Sequence, residues 1–136
     1  MVILLAVKAS GQTDSALIGF YESVRLSKIE MGYRSFFNEI SSFPVGNTLT
    51  LESDNTYIYT TCATIEKGSY KISDSRIFLH CNEKKYKTDR FNQTGFKGVF
   101  MKCKSQPAII NIRESCLEAS WVLNEKRGYV RFKKNK

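Results

Sequence analysis

A single histidine, four cysteines and two groups of cations set among aromatics are the residues of this 136-residue chain with chemistry beyond packing. His80 stands between Leu79 and Cys81, on the face of a strand-like run opposite Ile77 and Leu79. A Ser–His or Cys–His nucleophile would have to use it, and no spacing in the sequence sets an acid beside it. Glycine-rich phosphate loops, the H-E-x-x-H pattern and calcium-loop spacing are all missing. Asp54 and Asp74 fall in turn clusters, where a carboxylate ordinarily caps the backbone. The chain is therefore read as a non-enzyme, with no cofactor and no metal site.

Cys62, Cys81, Cys103 and Cys116 form an even set with no C-x-x-C pair, which argues against zinc. In an exported chain such a set implies two disulfides, with three connectivities open. Sequential pairing, Cys62 with Cys81 and Cys103 with Cys116, closes loops of moderate length. It carries a geometric condition. If Cys62 and Cys81 lay in regular strands flanking the one through Gly68, they would be ~9.5 Å apart, beyond the ~7 Å reach of a disulfide. Cys62 would have to leave its strand and fold back over Gly68. Four buried free thiols in a cytosolic protein are the competing reading.

Export is read from the start of the chain. Val2 to Val7 is an apolar run, and Ala9-Ser10-Gly11 before Gln12 has the small-x-small form of a signal peptidase site. The run is shorter than the ~20 apolar residues that span a bilayer. Residues 1–11 are therefore read as the end of a signal peptide that starts further upstream, with a first edge strand as the alternative. Residues 12–136 are read as one extracytoplasmic domain, without a transmembrane segment.

The net charge is +8 and the pI about 9.4, a balance that favours nucleic acid, anionic lipid or polyanionic glycan as partner. Lys84, Lys85, Lys87 and Arg90 accompany Tyr86 and Phe91, while Lys126, Arg127, Arg131, Lys133 and Lys134 accompany Tyr129 and Phe132. Stacked aromatics along a cationic groove would make an oligonucleotide binder. Against that, Phe132 alternates with Arg131 and Lys133 and so points inward, and export opposes a nucleic-acid role. A basic module for nucleic acid or another polyanion stays as the alternative function.

The elements that must position these groups are mostly strands. From Asn47 to Cys81, polar turns at Ser53-Asp54-Asn55 and Ser73-Asp74-Ser75 separate runs in which Leu49 and Leu51, Tyr57 and Tyr59, Tyr70 and Ile72, and Ile77 and Leu79 alternate with polar residues. Turns this short pair only neighbouring strands. Leu17 to Leu26 is the first strand, with Ile18, Phe20 and Val24 inward. Ile29, Tyr33, Phe36, Phe37 and Ile40 then fall on one stripe of a helix from Ser27 to Ile40, started by Ser27 and Glu30 at capping-box spacing. That stripe is expected to pack across the open end of the sheet. Residues 96–104, Ala108 to Ile112, Leu117 to Leu123 and Tyr129 to Phe132 supply further strands, the last two joined by a longer loop from Asn124 to Gly128. The fold class is all-β, an up-and-down antiparallel barrel of about eight strands with one short helix after the first.

Leu49-Thr50-Leu51, Ser53-Asp54-Asn55-Thr56-Tyr57, Gly68-Ser69-Tyr70-Lys71-Ile72 and Ser73-Asp74-Ser75-Arg76-Ile77-Phe78-Leu79 resemble the hairpin pattern of small lipocalin-like barrels exported by Bacteroidetes. Gly19-Phe20-Tyr21 and Gly128-Tyr129-Val130-Arg131-Phe132 are similar to their first and last strands. The resemblance covers most of residues 12–136 and implies a barrel with an extracytoplasmic address. It brings no catalytic residues. The expected function is binding of a small apolar ligand, or of a partner macromolecule. Enclosure by inward side chains nominates Phe20, Leu49, Leu51, Tyr57, Tyr59, Tyr70, Ile72, Ile77 and Leu79, joined from the helix by Tyr33 and Phe37.

Overall fold

Alternation of more and less buried side chains marks most of the strands, and those strands close on themselves. The computed structural model describes residues 15–87 and 102–136. In chain order come β1 (Gly19–Ser23), α1 (Lys28–Phe37), β2 (Ile40–Ser42), β3 (Thr48–Leu51), β4 (Thr56–Thr60), β5 (Thr64–Ser73), β6 (Arg76–Tyr86), β7 (Ala108–Ile112), β8 (Leu117–Leu123) and β9 (Lys126–Lys134). From β3 to β9 each strand pairs antiparallel with the next, and β1 pairs with both β3 and β9. Eight strands thus form a closed up-and-down barrel with one short helix after the first, the expected fold class. The ninth, β2, is a short parallel addition beside the start of β9.

The turns explain the closure. Asp74-Ser75 joins β5 to β6 and Asn124-Glu125 joins β8 to β9, each pair with both residues at positive φ. Two-residue turns of that kind carry a twist that matches the flanking strands. Leu123 pairs with Lys126, so the longer loop expected from Asn124 to Gly128 is corrected to two residues. In the β3–β4 turn the Asp54 carboxylate accepts from the Thr56 amide at 3.1 Å, and hydrogen bonds from Thr56 hold its pKa below the usual carboxylate range.

Register follows the parity of the sequence. Leu51 faces Tyr57 and Ile72 faces Ile77 across their turns. A bulge between Lys67 and Gly68 resets the alternation in the β5–β6 pair. Gly68 runs so close to β6 that a Cβ there would lie 1.9 Å from the His80 carbonyl oxygen.

Three expectations are corrected. Tyr21, not Phe20, enters the core: Tyr21 is buried opposite Leu49 and its hydroxyl donates to the Leu17 carbonyl at 2.7 Å, while Phe20 is 40% exposed. Ile18 and Val24, which suggested the other face, lie beyond the ends of this short strand. Of the strand expected over residues 96–104, most falls on residues 88–101, outside the described residues, and Lys102 to Lys104 are not strand. The helix does start at Ser27, whose hydroxyl accepts from the Glu30 amide at 3.1 Å. It ends at Phe37, not Ile40, and its apolar stripe does not pack as expected: no residue of α1 is buried, and Ile40, the one buried member of the stripe, belongs to β2.

Candidate functional site

Consecutive hairpins alternate between the two ends of an up-and-down barrel. The β4–β5 and β8–β9 turns, together with α1, mark one end; the β3–β4, β5–β6 and β7–β8 turns mark the other. Between them lies a filled interior. Leu49, Leu51 and Ile77 are 0% exposed, and Tyr57, Tyr70, Leu79 and Phe132 are buried with them. Tyr59 and Ile72 are partly buried and pack on the same core. Eight of the residues nominated for ligand enclosure are therefore brought together, as packing. Phe20 points outward, and Tyr33 and Phe37 stand on the helix with 59% and 65% exposure.

Towards the α1 end the interior turns polar. Tyr57 donates to the Glu66 carboxylate, Glu66 pairs with Lys84 at 3.5 Å, and the Asn47 amide donates to the Tyr59 hydroxyl at 2.8 Å. Burial, reinforced by the Glu66 carboxylate, pushes the Tyr57 phenol far above its ordinary value. Burial likewise pushes Tyr59 up to about 12, although the Asn47 hydrogen bond opposes it. Both phenols are neutral donors and acceptors at any ordinary pH, which suits holding strands in place and not acid–base chemistry.

The outer wall beside α1 carries a second polar system. Glu118 and Arg131 are paired residues of the β8–β9 hairpin and their side chains meet at 3.3 Å. Arg131 also grips Glu30 of α1 with both terminal nitrogens. Arg34, one turn along, forms an ion pair with Glu30 at 3.5 Å and stacks 3.9 Å from the Tyr129 ring centroid. Hydrogen bonding to Arg131 holds the Glu30 carboxyl below its ordinary pKa. At Glu118 burial pushes upward, but hydrogen bonds from Tyr129, Arg113 and Arg131 prevail and the carboxyl is again lowered. Burial and the Glu118 charge push the Tyr129 phenol up to about 12. Around this network Leu26, Ile40 and Tyr129 are buried together, with Met31 and Phe43 against them.

The consequence is a helix mounted inside out. Its charged side, Glu30 and Arg34, lies on the barrel wall; Ile29 and Phe36 are 86% and 80% exposed beside Tyr33 and Phe37. The three rings form one cluster, with Tyr33 4.8 Å and Phe36 5.1 Å from Phe37, centroid to centroid. One residue past Phe37 a cavity of about 380 Å³ opens, lined by Asn38, Ile40, Ser120, Trp121, Val122, Arg127 and Gly128. Gly128 makes room for the indole: a Cβ there would meet Trp121 at 2.2 Å.

Disulfide chemistry differs from the sequential pairing. Cys81 is bonded to Cys103, and Cys62 and Cys116 are free thiols. Cys62 lies in the β4–β5 turn and Cys116 in the β7–β8 turn, at opposite ends of the barrel, so those two cannot meet. Cys62 does not fold back over Gly68 to reach Cys81. Burial and the nearby Glu118 push the Cys116 thiol pKa up, away from the reactive thiolate.

The two basic groups fare differently from a stacking groove. Phe132 is buried inward as its alternation requires, Tyr129 is covered, and Arg131 is spent on its ion pairs. Arg90 and Phe91 lie outside the described residues. His80 is half-buried, with inward Leu79 and Ile77 on the opposite parity. Among the described residues no three His, Cys, Asp or Glu side chains cluster to hold a metal, and no helix is long and apolar enough to cross a membrane. The Glu30–Arg131–Glu118 network was missed from sequence, yet Glu118 and Arg131 sit at outward parity in an evident hairpin. The chain matches no family model, no curated protein and no solved structure.

Proposed function

We propose that the chain is a non-enzymatic, extracytoplasmic, lipocalin-like binding module in which the barrel is a solid scaffold and a partner macromolecule docks on the outward face of α1. The carrying observation is the orientation of that helix: Ile29, Tyr33, Phe36 and Phe37 are all exposed while Glu30 and Arg34 face the wall. Covering such a side chain is worth about 1.5–3 kcal/mol when burial is complete, and a partner that covers the cluster gains that. Enclosure of a small apolar ligand is the weaker reading, because the inward side chains already fill the interior. The extracytoplasmic address rests on the Val2–Gly11 pattern and is supported by the Cys81–Cys103 bond. The non-enzymatic reading rests on a lone histidine half-buried among strand residues.

Titration with an apolar reporter dye tests the site. Binding by the wild type should be lost in Phe36→Ser/Phe37→Ser and retained in Leu79→Ala. Dye binding that survives the helix substitutions and changes at Leu79 would place the site in the barrel and overturn the proposal.

A further inference from the structure

Resting on that reading of α1, we infer that the partner is an anionic membrane surface, met by the Tyr33–Phe36–Phe37 ring cluster and a cationic rim. The shape argues first. The cluster is a ridge on a helix with rings in mutual contact; Ile29, Tyr33, Phe36 and Phe37 are exposed together, while Met31 packs on the wall side. A protruding ridge of this kind fits a deformable apolar medium, and aromatic rings on an interfacial helix sit at the headgroup–acyl boundary. Charge argues second. Exposed Arg25 and Lys28 flank the start of the helix. Exposed Lys126 and Arg127 stand at its far end, since Arg127 pairs with Ile40 of β2. Exposed Glu39 and Glu125 oppose them there, so among the described residues cations prevail around the ridge, and the chain as a whole carries +8. Juxtamembrane cations are drawn to anionic headgroups within about a Debye length.

Rigidity argues third. Glu30 and Arg34 are held against Arg131 and Tyr129, so the ridge is presented already formed and no helix has to fold on arrival. The mode is peripheral: one short helix lies in the interface, and the barrel stays outside it.

Flotation of the full chain with vesicles decides the matter. Vesicles of phosphatidylcholine containing phosphatidylglycerol should bind it at ~0.1 M salt and lose at least ~10-fold affinity near ~1 M, where the Debye length falls to about 3 Å; phosphatidylcholine alone should bind weakly. Phe36→Ser/Phe37→Ser should weaken binding to the mixed vesicles by about 10-fold or more, and so should Ile29→Ser/Tyr33→Ser. Lys126→Glu/Arg127→Glu should weaken binding at low salt and leave the high-salt residue unchanged. The reporter dye and the mass in solution are read alongside. If the dye shows a free helix face but neither vesicle binds, the lipid inference falls and the helix reading stands. A dimer that the Phe36/Phe37 substitutions dissociate assigns the face to a second copy and overturns the lipid inference. No dye binding by the monomer overturns both.

Discussion

The barrel interior and α1 are built from the same kinds of residue and use them in opposite ways. Inside, Leu49, Leu51, Tyr57 and Ile77 meet one another and exclude water. On α1, Ile29, Tyr33, Phe36 and Phe37 meet water, and the polar side does the docking. Composition alone therefore does not say which face of an element is its structural face. In the strands the hydrophobic effect orients the side chains; at the helix, ion pairs with Arg131 and the packing of Leu26, Met31 and Ile40 fix the side that meets the wall and leave the ring stripe outward. A region whose apolar side is not needed for folding is free to serve a partner.

Core truncation should give the largest effect and would break the comparison if it did not. Leu79→Ala should cost about 2–5 kcal/mol in denaturant unfolding, because nothing in a closed barrel moves in to fill the space. Gly68→Ala comes next. Its Cβ would meet the His80 carbonyl 1.9 Å away, in backbone and not in a flexible side chain, so a loss of about 1–3 kcal/mol is expected from the same measurement. Milder still should be acid. Glu30 and Glu118 have folded pKa values below their ordinary ones, so their contribution is present above the unfolded value of about 4.3 and disappears as pH falls through the folded values. Hydrogen-exchange protection factors of α1, corrected for the intrinsic pH dependence of exchange, should therefore fall in acid while those of β4–β6 hold, and Arg131→Met should abolish most of that difference. Smallest should be the helix face: Phe36→Ser/Phe37→Ser should change unfolding stability by no more than about 0.5 kcal/mol. A loss of several times that amount would show the ridge to be part of the core after all.

What the sequence made legible was local. The Asp74-Ser75 turn, the facing of Leu51 with Tyr57, the Ser27 cap and strands β7 and β8 follow from a few adjacent residues, and the structure has them where the pattern put them. Misread features depended on distant partners. Glu30 and Arg131 are 101 residues apart, and their contact decides which side of α1 faces the wall. Which of Phe20 and Tyr21 enters the core is settled by pairing with Leu49. The partner of Cys81 is settled by where the chain returns at Cys103, something no spacing rule contains. Of the candidate site, the ring stripe was visible as a stripe; its exposure was not.

The seam between β1 and β9 has a consequence for the order of events during synthesis. Tyr21 to Ser23 pair with Phe132 to Lys134, the Asn135 amide donates to the Phe20 carbonyl, and Lys134 reaches the Ala16 carbonyl. The first strand of the barrel thus has its final neighbour in the last strand of the barrel. Until β9 has been made, β1 has β3 on one side and an open edge on the other. Such an edge invites pairing with another chain, and a contact that spans most of the sequence forms slowly. A nascent chain of this design depends on that edge being shielded until β9 arrives.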